Sequence, residues 1–270
     1  MVVTTSTQNV DITWELLPED FILDDEPVDN VNQPALASAL TETLKLAGKL
    51  PETALATTNY GICATFKGKM TLKAPDWAYI PKITVPRDEV KKSYTPYLQG
   101  EIPTVVMEFL SDTEGNEYSS KRSYPPGKWY FYEQILKVPN YAIFEPETGA
   151  LEVHCLDKQQ QYKLSTPNED NRYWIEEIKL FLGVWRGERE NRQGYWLRWW
   201  DENGNLLLWG FELIAQERQA KQVAQQELSQ ERQAKQVAQQ ELSQERQAKQ
   251  IALKRLEELE QKLKEAGIEP

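Results

Sequence analysis

A chain of 270 residues, 40% of them hydrophobic and nine of them Trp, can bury one sizeable core and still have length for an appendage. It contains no run of 18 or more apolar residues, and MVVTTSTQNVDITW lacks the basic and apolar regions of a secretory signal, so the expectation is a soluble, cytoplasmic protein. Cys63, Cys155 and the single His154 cannot supply a C-x-x-C or Cys/His-rich zinc site; the two cysteines read as reduced, largely buried thiols.

The net charge of −11 argues at first against a nucleic-acid partner, because DNA repels a broad acidic surface. Its distribution weakens that objection. Asp11, Glu15, Glu19, Asp20, Asp24, Asp25, Glu26 and Asp29 crowd residues 1–30 with no basic residue among them, while residues 212–270 hold 11 acidic and 10 basic side chains. The stretch 31–211 is therefore only −2, and within it Lys67, Lys69, Lys73, Lys82, Arg87, Lys91 and Lys92 cluster. They form either a basic face or part of a mixed solvated surface.

In chain order, ALASALTETLKLAGKL (35–50) places Leu36, Leu40, Leu44 and Ala47 at helical spacing, with Gly48 suited to a C-terminal cap. NYGICATF (59–66) and MTLKAPDWAYIP (70–81) alternate like strands, and TVVMEFLS (104–111) follows a long polar connection. Pro125-Pro126-Gly127 precedes KWYFYEQILKV, which reads as a helix start. NYAIFEP and ALEVHCL flank Glu147-Thr148-Gly149 as a hairpin, and YWLRWWDENGNLLLWG reads as strand, Asn203-Gly204 turn, strand. Strands interleaved with helices predict an α/β domain over residues 1–211 with a mixed sheet flanked by helices. The tryptophans of WLRWW fit core packing better than base stacking.

From 212 to 270 the pattern changes to a helical tail. ERQAKQVAQQELSQ at 217–230 recurs unchanged at 231–244, and a third copy starts at 245. Fourteen residues are two heptads; Leu228, Leu242, Leu256 and Leu263 share one seam position with Lys221, Lys235 and Lys249. With no Gly or Pro from Phe211 to Ala266, a helix roughly 80 Å long is expected. It either pairs as a coiled coil, giving a homodimer, or stands alone as a charged helix.

Glu108 interrupts the apolar run TVVMEFLS. In a strand it shares a face with Val106 and Leu110, whereas Val105, Met107 and Phe109 take the other. A buried carboxylate costs several kcal/mol unless paired, hydrogen-bonded or metal-bound. Three readings stay open: a strand end at solvent, a structural ion pair, or a catalytic ligand. Asp76 adds a second carboxylate, directly after Pro75, which marks a sheet edge or a strand start. Two carboxylates on neighbouring strands suit Mg²⁺ or Mn²⁺, which take oxygen ligands. Lys128 heads a helical stripe with Phe131, Tyr132 and Ile135; its amine either snorkels to water or points at such a site.

The segments APDWAYIP, EIPTVVMEFLS and GKWYFYEQILKVPNYAIFEPETGALEV, in this order and spacing, resemble the Uma2 family of restriction-endonuclease-like proteins in the PD-(D/E)XK nuclease superfamily. The resemblance spans about residues 10–160. It implies a restriction-endonuclease-like fold and hydrolysis of DNA phosphodiester bonds with Mg²⁺ or Mn²⁺. Asp76 and Glu108 would be metal ligands, the Phe109 carbonyl a third, and Lys128 a catalytic amine supplied from the helix. The superfamily's usual lysine position, two after the Glu, is Leu110 here, and the family's Ser-Pro-Ser-Thr is replaced by Ser111-Asp112-Thr113-Glu114. Glu15, in TWELLPEDF, is a further candidate acidic ligand. The alternative is an inactive nuclease-like domain whose helical tail serves as a scaffold.

Overall fold

The computed structural model describes residues 3–4, 12–18, 32–111 and 117–265. The chain divides into two compact units, Met1–Gly210 and Phe211–Pro270. In the first, strands β1 (Val3–Thr4) and β2 (Ile12–Trp14) precede helix α1 (Gln33–Leu46). Pro34 sits in the first turn of α1, where its missing N–H is no loss, and Gly48 closes the C-terminal turn at a φ of +68°. There follow β3 (Leu55–Thr57), β4 (Ile62–Phe66), β5 (Lys69–Lys73), β6 (Trp77–Ile80) and β7 (Val105–Phe109). Helix α2 (Lys128–Tyr130) widens directly into a π-helix, Phe131–Leu136. The unit is completed by β8 (Asn140–Glu145), β9 (Ala150–Leu156), β10 (Tyr162–Leu164), β11 (Tyr173–Ile175), β12 (Leu180–Arg189) and β13 (Arg192–Trp200).

Six strands form the central sheet in the order β10-β9-β8-β7-β6-β3. Only β7 and β8 run parallel, joined by the crossover that carries α2, so the sheet is mixed, as in a restriction-endonuclease-like fold. The alternation expected of β7 is present: Val105, Met107 and Phe109 enter one core with α1 and the β11-β12-β13 sheet. Val106 enters the other, with the π-helix and the β1-β2-β4-β5 sheet. The run MTLKAPDWAYIP is two strands in two sheets, broken at Ala74-Pro75, where the chain crosses between layers. Because β6 lies inside its sheet, Pro75 marks a strand start and not an edge.

One expected hairpin is different. Past Asn203-Gly204 the returning arm is short: Trp200 bridges Leu206 and the Leu207 N–H donates to the Trp199 carbonyl at 2.9 Å, and Trp209 beyond it is fully buried. The long partner of the WLRWW strand is instead β12, with Trp185 opposite Trp196. Its turn has Glu190 and Asn191 at φ +54° and +60°, the consecutive left-handed residues of a tight hairpin. Trp196, Trp199 and Trp200 are buried, as core packing predicts.

Among the described residues the second unit is helical throughout, formed by α3 (Gly210–Glu265), which has no buried side chain. Val223, Leu228, Val237, Leu242, Ile251, Leu256 and Leu263 are all exposed on it. Among the described residues, no helix is long and apolar enough to cross a membrane. The acidic stretch at 19–30, Asp112, Thr113, Glu114 and Ala266 lie outside the described residues.

Candidate active site

Strand register brings the two carboxylates together. β6 and β7 pair antiparallel, with Trp77 opposite Met107 and Ala78 opposite Val106. The next pair in that register is Asp76 and Glu108, on the same sheet face as Ala78 and Val106. Opposed like charges on neighbouring strands destabilise a sheet, so this position is not one that stability favours. Both main-chain polar groups of Phe109 are engaged by side chains. Its N–H donates to Asp76 Oδ2 at 2.6 Å, and its carbonyl accepts a hydrogen bond from Gln33 Nε2, at the start of α1, at 3.0 Å.

Glu108 is fully buried, and its oxygens are met from the helix across the site. Lys128 Nζ lies 3.0 Å from Glu108 Oε2 and 3.0 Å from Glu117 Oε1. One turn further on, the Tyr132 hydroxyl donates to Glu108 Oε1 at 2.8 Å. Gly127 permits this placement: a Cβ there would fall 2.0 Å from the Ser119 carbonyl oxygen, so only glycine lets the helix begin this close to the preceding loop. Glu117 is anchored through its carbonyl by the Tyr141 hydroxyl at 2.9 Å.

Burial governs the electrostatics. It pushes Glu108 up to about 8, with Lys128 opposing and Asp76 adding to the rise. Asp76 is pushed up to about 6 by burial, against the Phe109 N–H and Lys128. Burial disfavours the Lys128 cation too, but the Glu108 and Glu117 carboxylates outweigh it and hold the amine above its ordinary range. Near neutral pH the site therefore pairs a firmly charged amine with two reluctant carboxylates.

Among the described residues no three His, Cys, Asp or Glu side chains form a metal-holding group. Asp76, Glu108 and the Phe109 carbonyl offer oxygen donors only, the donor chemistry of Mg²⁺ and Mn²⁺, which fill remaining positions with water. Asp76 Oδ1 accepts no hydrogen bond among the described residues, and the Phe109 carbonyl, bonded once by Gln33, keeps a second lone pair. The donor set fits a divalent ion.

A protein-family model described as "Putative restriction endonuclease", Uma2, matches residues 9–186. The chain belongs to the Uma2 family. No curated protein matches it. The Uma2 match spans Asp76, Glu108, Phe109 and Lys128; it ends inside β12 and leaves β13 and α3 beyond it.

Within the Uma2 region the structure joins Glu108 to Lys128, and Asp76 to Phe109. Leu110, at the superfamily's lysine position, is half-buried against the apolar core while the Lys128 amine meets Glu108 from the helix. Glu15 accepts from Thr13 at 3.2 Å, and among the described residues it bonds neither Asp76 nor Glu108. Three participants escaped sequence reasoning. Tyr132 had a signal, a hydroxyl one turn after Lys128 on a buried stripe. So did Gln33, a polar residue heading the Leu36, Leu40, Leu44 stripe. Glu117 had none, since its approach to Lys128 depends on how a loop returns to the sheet.

Proposed function

We propose that the chain is a metal-dependent endonuclease that hydrolyses DNA phosphodiester bonds, with residues 1–211 as the nuclease domain and 212–270 as a coiled-coil tail. The observation that carries this reading is the antiparallel pairing that sets Asp76 opposite Glu108 with the Lys128 amine 3.0 Å from the latter. Asp76, Glu108 and the Phe109 carbonyl would hold Mg²⁺ or Mn²⁺. An ion held by these groups would supply Lewis-acid chemistry toward a phosphoryl group and a bound water. Lys128 stabilises negative charge developing on the phosphoryl group and orients the attacking water. Tyr132 holds Glu108 Oε1 in place, and Glu117 gives the Lys128 amine a second carboxylate partner that keeps it at the site. Gln33 holds the Phe109 carbonyl in place.

The test is cleavage of plasmid and branched DNA with Mg²⁺ or Mn²⁺ by the wild type beside Asp76→Ala and Lys128→Ala. Loss of cutting in both variants is expected. If the wild type neither cuts nor binds a divalent ion, the second reading takes over: an inactive nuclease-like domain serving as a scaffold. That reading is favoured by the 56-residue helix α3, which buries none of its side chains.

A further inference from the structure

Strand β5 leads directly into the site, Lys73 standing three residues before Asp76. Lys69 and Lys73 share one face of β5, about 13 Å apart at strand rise. The loop that precedes α2 lies along this strand: the Tyr124 hydroxyl donates to the Met70 carbonyl at 2.9 Å, and Lys69 Nζ sits 4.9 Å from the centre of the Tyr124 ring. That loop carries Lys121, exposed like Lys69. Among the described residues no carboxylate lies within 4.0 Å of the amines of Lys69, Lys73 or Lys121, in a chain of net charge −11. Lys128, Lys179, Arg172 and Arg189 of the same unit have such partners, whereas among the described residues Lys67, Lys82, Lys137 and Lys163 also have none, so what sets Lys69, Lys73 and Lys121 apart is their place on the strand and loop that lead to the site. Lys73 is half-buried, and burial lowers its pKa first; Lys128 and Lys121 lower it further, while Glu108 works the other way. Lys73 thus sits within the field of Lys121 and Lys128 without a carboxylate at its own amine, and Lys69 continues the positive strip outward along β5; a bound anion would relieve the repulsion at Lys73.

We infer that Lys69, Lys73 and Lys121 form a phosphate-binding rim that lays the DNA backbone along β5 and feeds it to the Asp76/Glu108 site. The inference rests on the phosphodiester reading of that site and names the surface that engages its substrate. The rim supplies affinity without base recognition, because amines on phosphates carry no sequence information. Tyr124, stacked under Lys69 and exposed, adds a ring edge to the same track.

The experiment is fluorescence anisotropy of labelled duplex DNA with the full chain in EDTA across a salt series, so that binding is read without cleavage. Lys73→Gln and Lys121→Ala are each expected to weaken binding and to lower the slope of log K against log salt by about 0.9 for every phosphate the variant no longer neutralises. Lys163→Ala, on β10 at the far edge of the central sheet, is expected to leave both unchanged. Because Lys121 is exposed, its variant keeps the test sound even if the Lys73 variant folds poorly. Wild-type affinity and slope in both rim variants would overturn the inference, as would a wild type that binds no DNA. Lysine-dependent binding by a protein that cuts nothing with either metal upholds the rim and removes the nuclease reading, so the two failures are distinct.

Discussion

Burying Glu108 opposite Asp76 gives the site a pH dependence whose sign follows from linkage. The folded-state pKa of Glu108 is about 8 against an ordinary 4.5, so between these values the folded chain retains a proton that the unfolded chain has released. Stability therefore falls as pH rises through that window, and Asp76 contributes in the same sense from 3.8 to about 6. Thermal melts in EDTA are expected to show the wild-type midpoint dropping from pH 5 to pH 8 more steeply than that of Glu108→Gln. Added Mn²⁺ should restore the wild-type midpoint at pH 8 and leave Asp76→Ala unmoved, since a ligand stabilises only the state that binds it. A level wild-type profile would mean that Lys128 keeps Glu108 ionised throughout. At this scale the sequence was informative where polarity violated a pattern: Glu108 inside an apolar strand, Lys128 at the head of an apolar stripe. It was silent on Glu117, whose local sequence resembles any polar loop.

The site is held by elements more than by its own contacts. β7 supplies Glu108 and Phe109, the start of β6 supplies Asp76, α2 with its π-helix supplies Lys128 and Tyr132, and α1 supplies Gln33. α1 is fixed by Leu36, Leu40 and Leu44, all essentially inaccessible, and by Trp77, whose indole N–H donates to Thr41 at 2.9 Å. Leu40→Ala should cost about 2–5 kcal/mol in urea unfolding, through lost transfer energy and the cavity left behind. The π-helix is a further consequence of packing: it widens where Phe131, Tyr132, Ile135 and Leu136 all turn to the core. Helical periodicity announced that these residues form a helix, but not its widening, because π geometry comes from tertiary contacts. The β12–β13 hairpin was hidden for a related reason. Its turn uses Glu190-Asn191 in place of the Asn-Gly signal that Asn203-Gly204 displayed downstream.

For the molecule as a whole, the open question of assembly falls on α3. A helix of 56 residues with no buried side chain exposes Leu228, Leu242, Leu256 and Leu263 at a heptad interval or its double. We expect sedimentation to give a dimer for the full chain and a monomer for the double variant Leu256→Asp/Leu263→Asp, because this dense end is where a paired seam would be strongest. A monomeric wild type at micromolar concentration would assign α3 to the self-supporting charged helices, to which the Glu231–Lys235 pair at i, i+4 already contributes.

By itself the sequence determined what depends on local order. The two faces of β7 follow from alternation, the cap of α1 from Gly48, the long helix from an exact 14-residue repeat, and the family resemblance from motifs in series. Only the tertiary structure decided which groups meet. Asp76 stands opposite Glu108 because of the register between β6 and β7, and Lys128 reaches Glu108 across 20 residues of chain through a crossover. Gln33 finds the Phe109 carbonyl across 76. Local patterns set which way a side chain faces, whereas pairing between distant segments is chosen by the burial of both faces of the central sheet at once, and no window of sequence contains that choice.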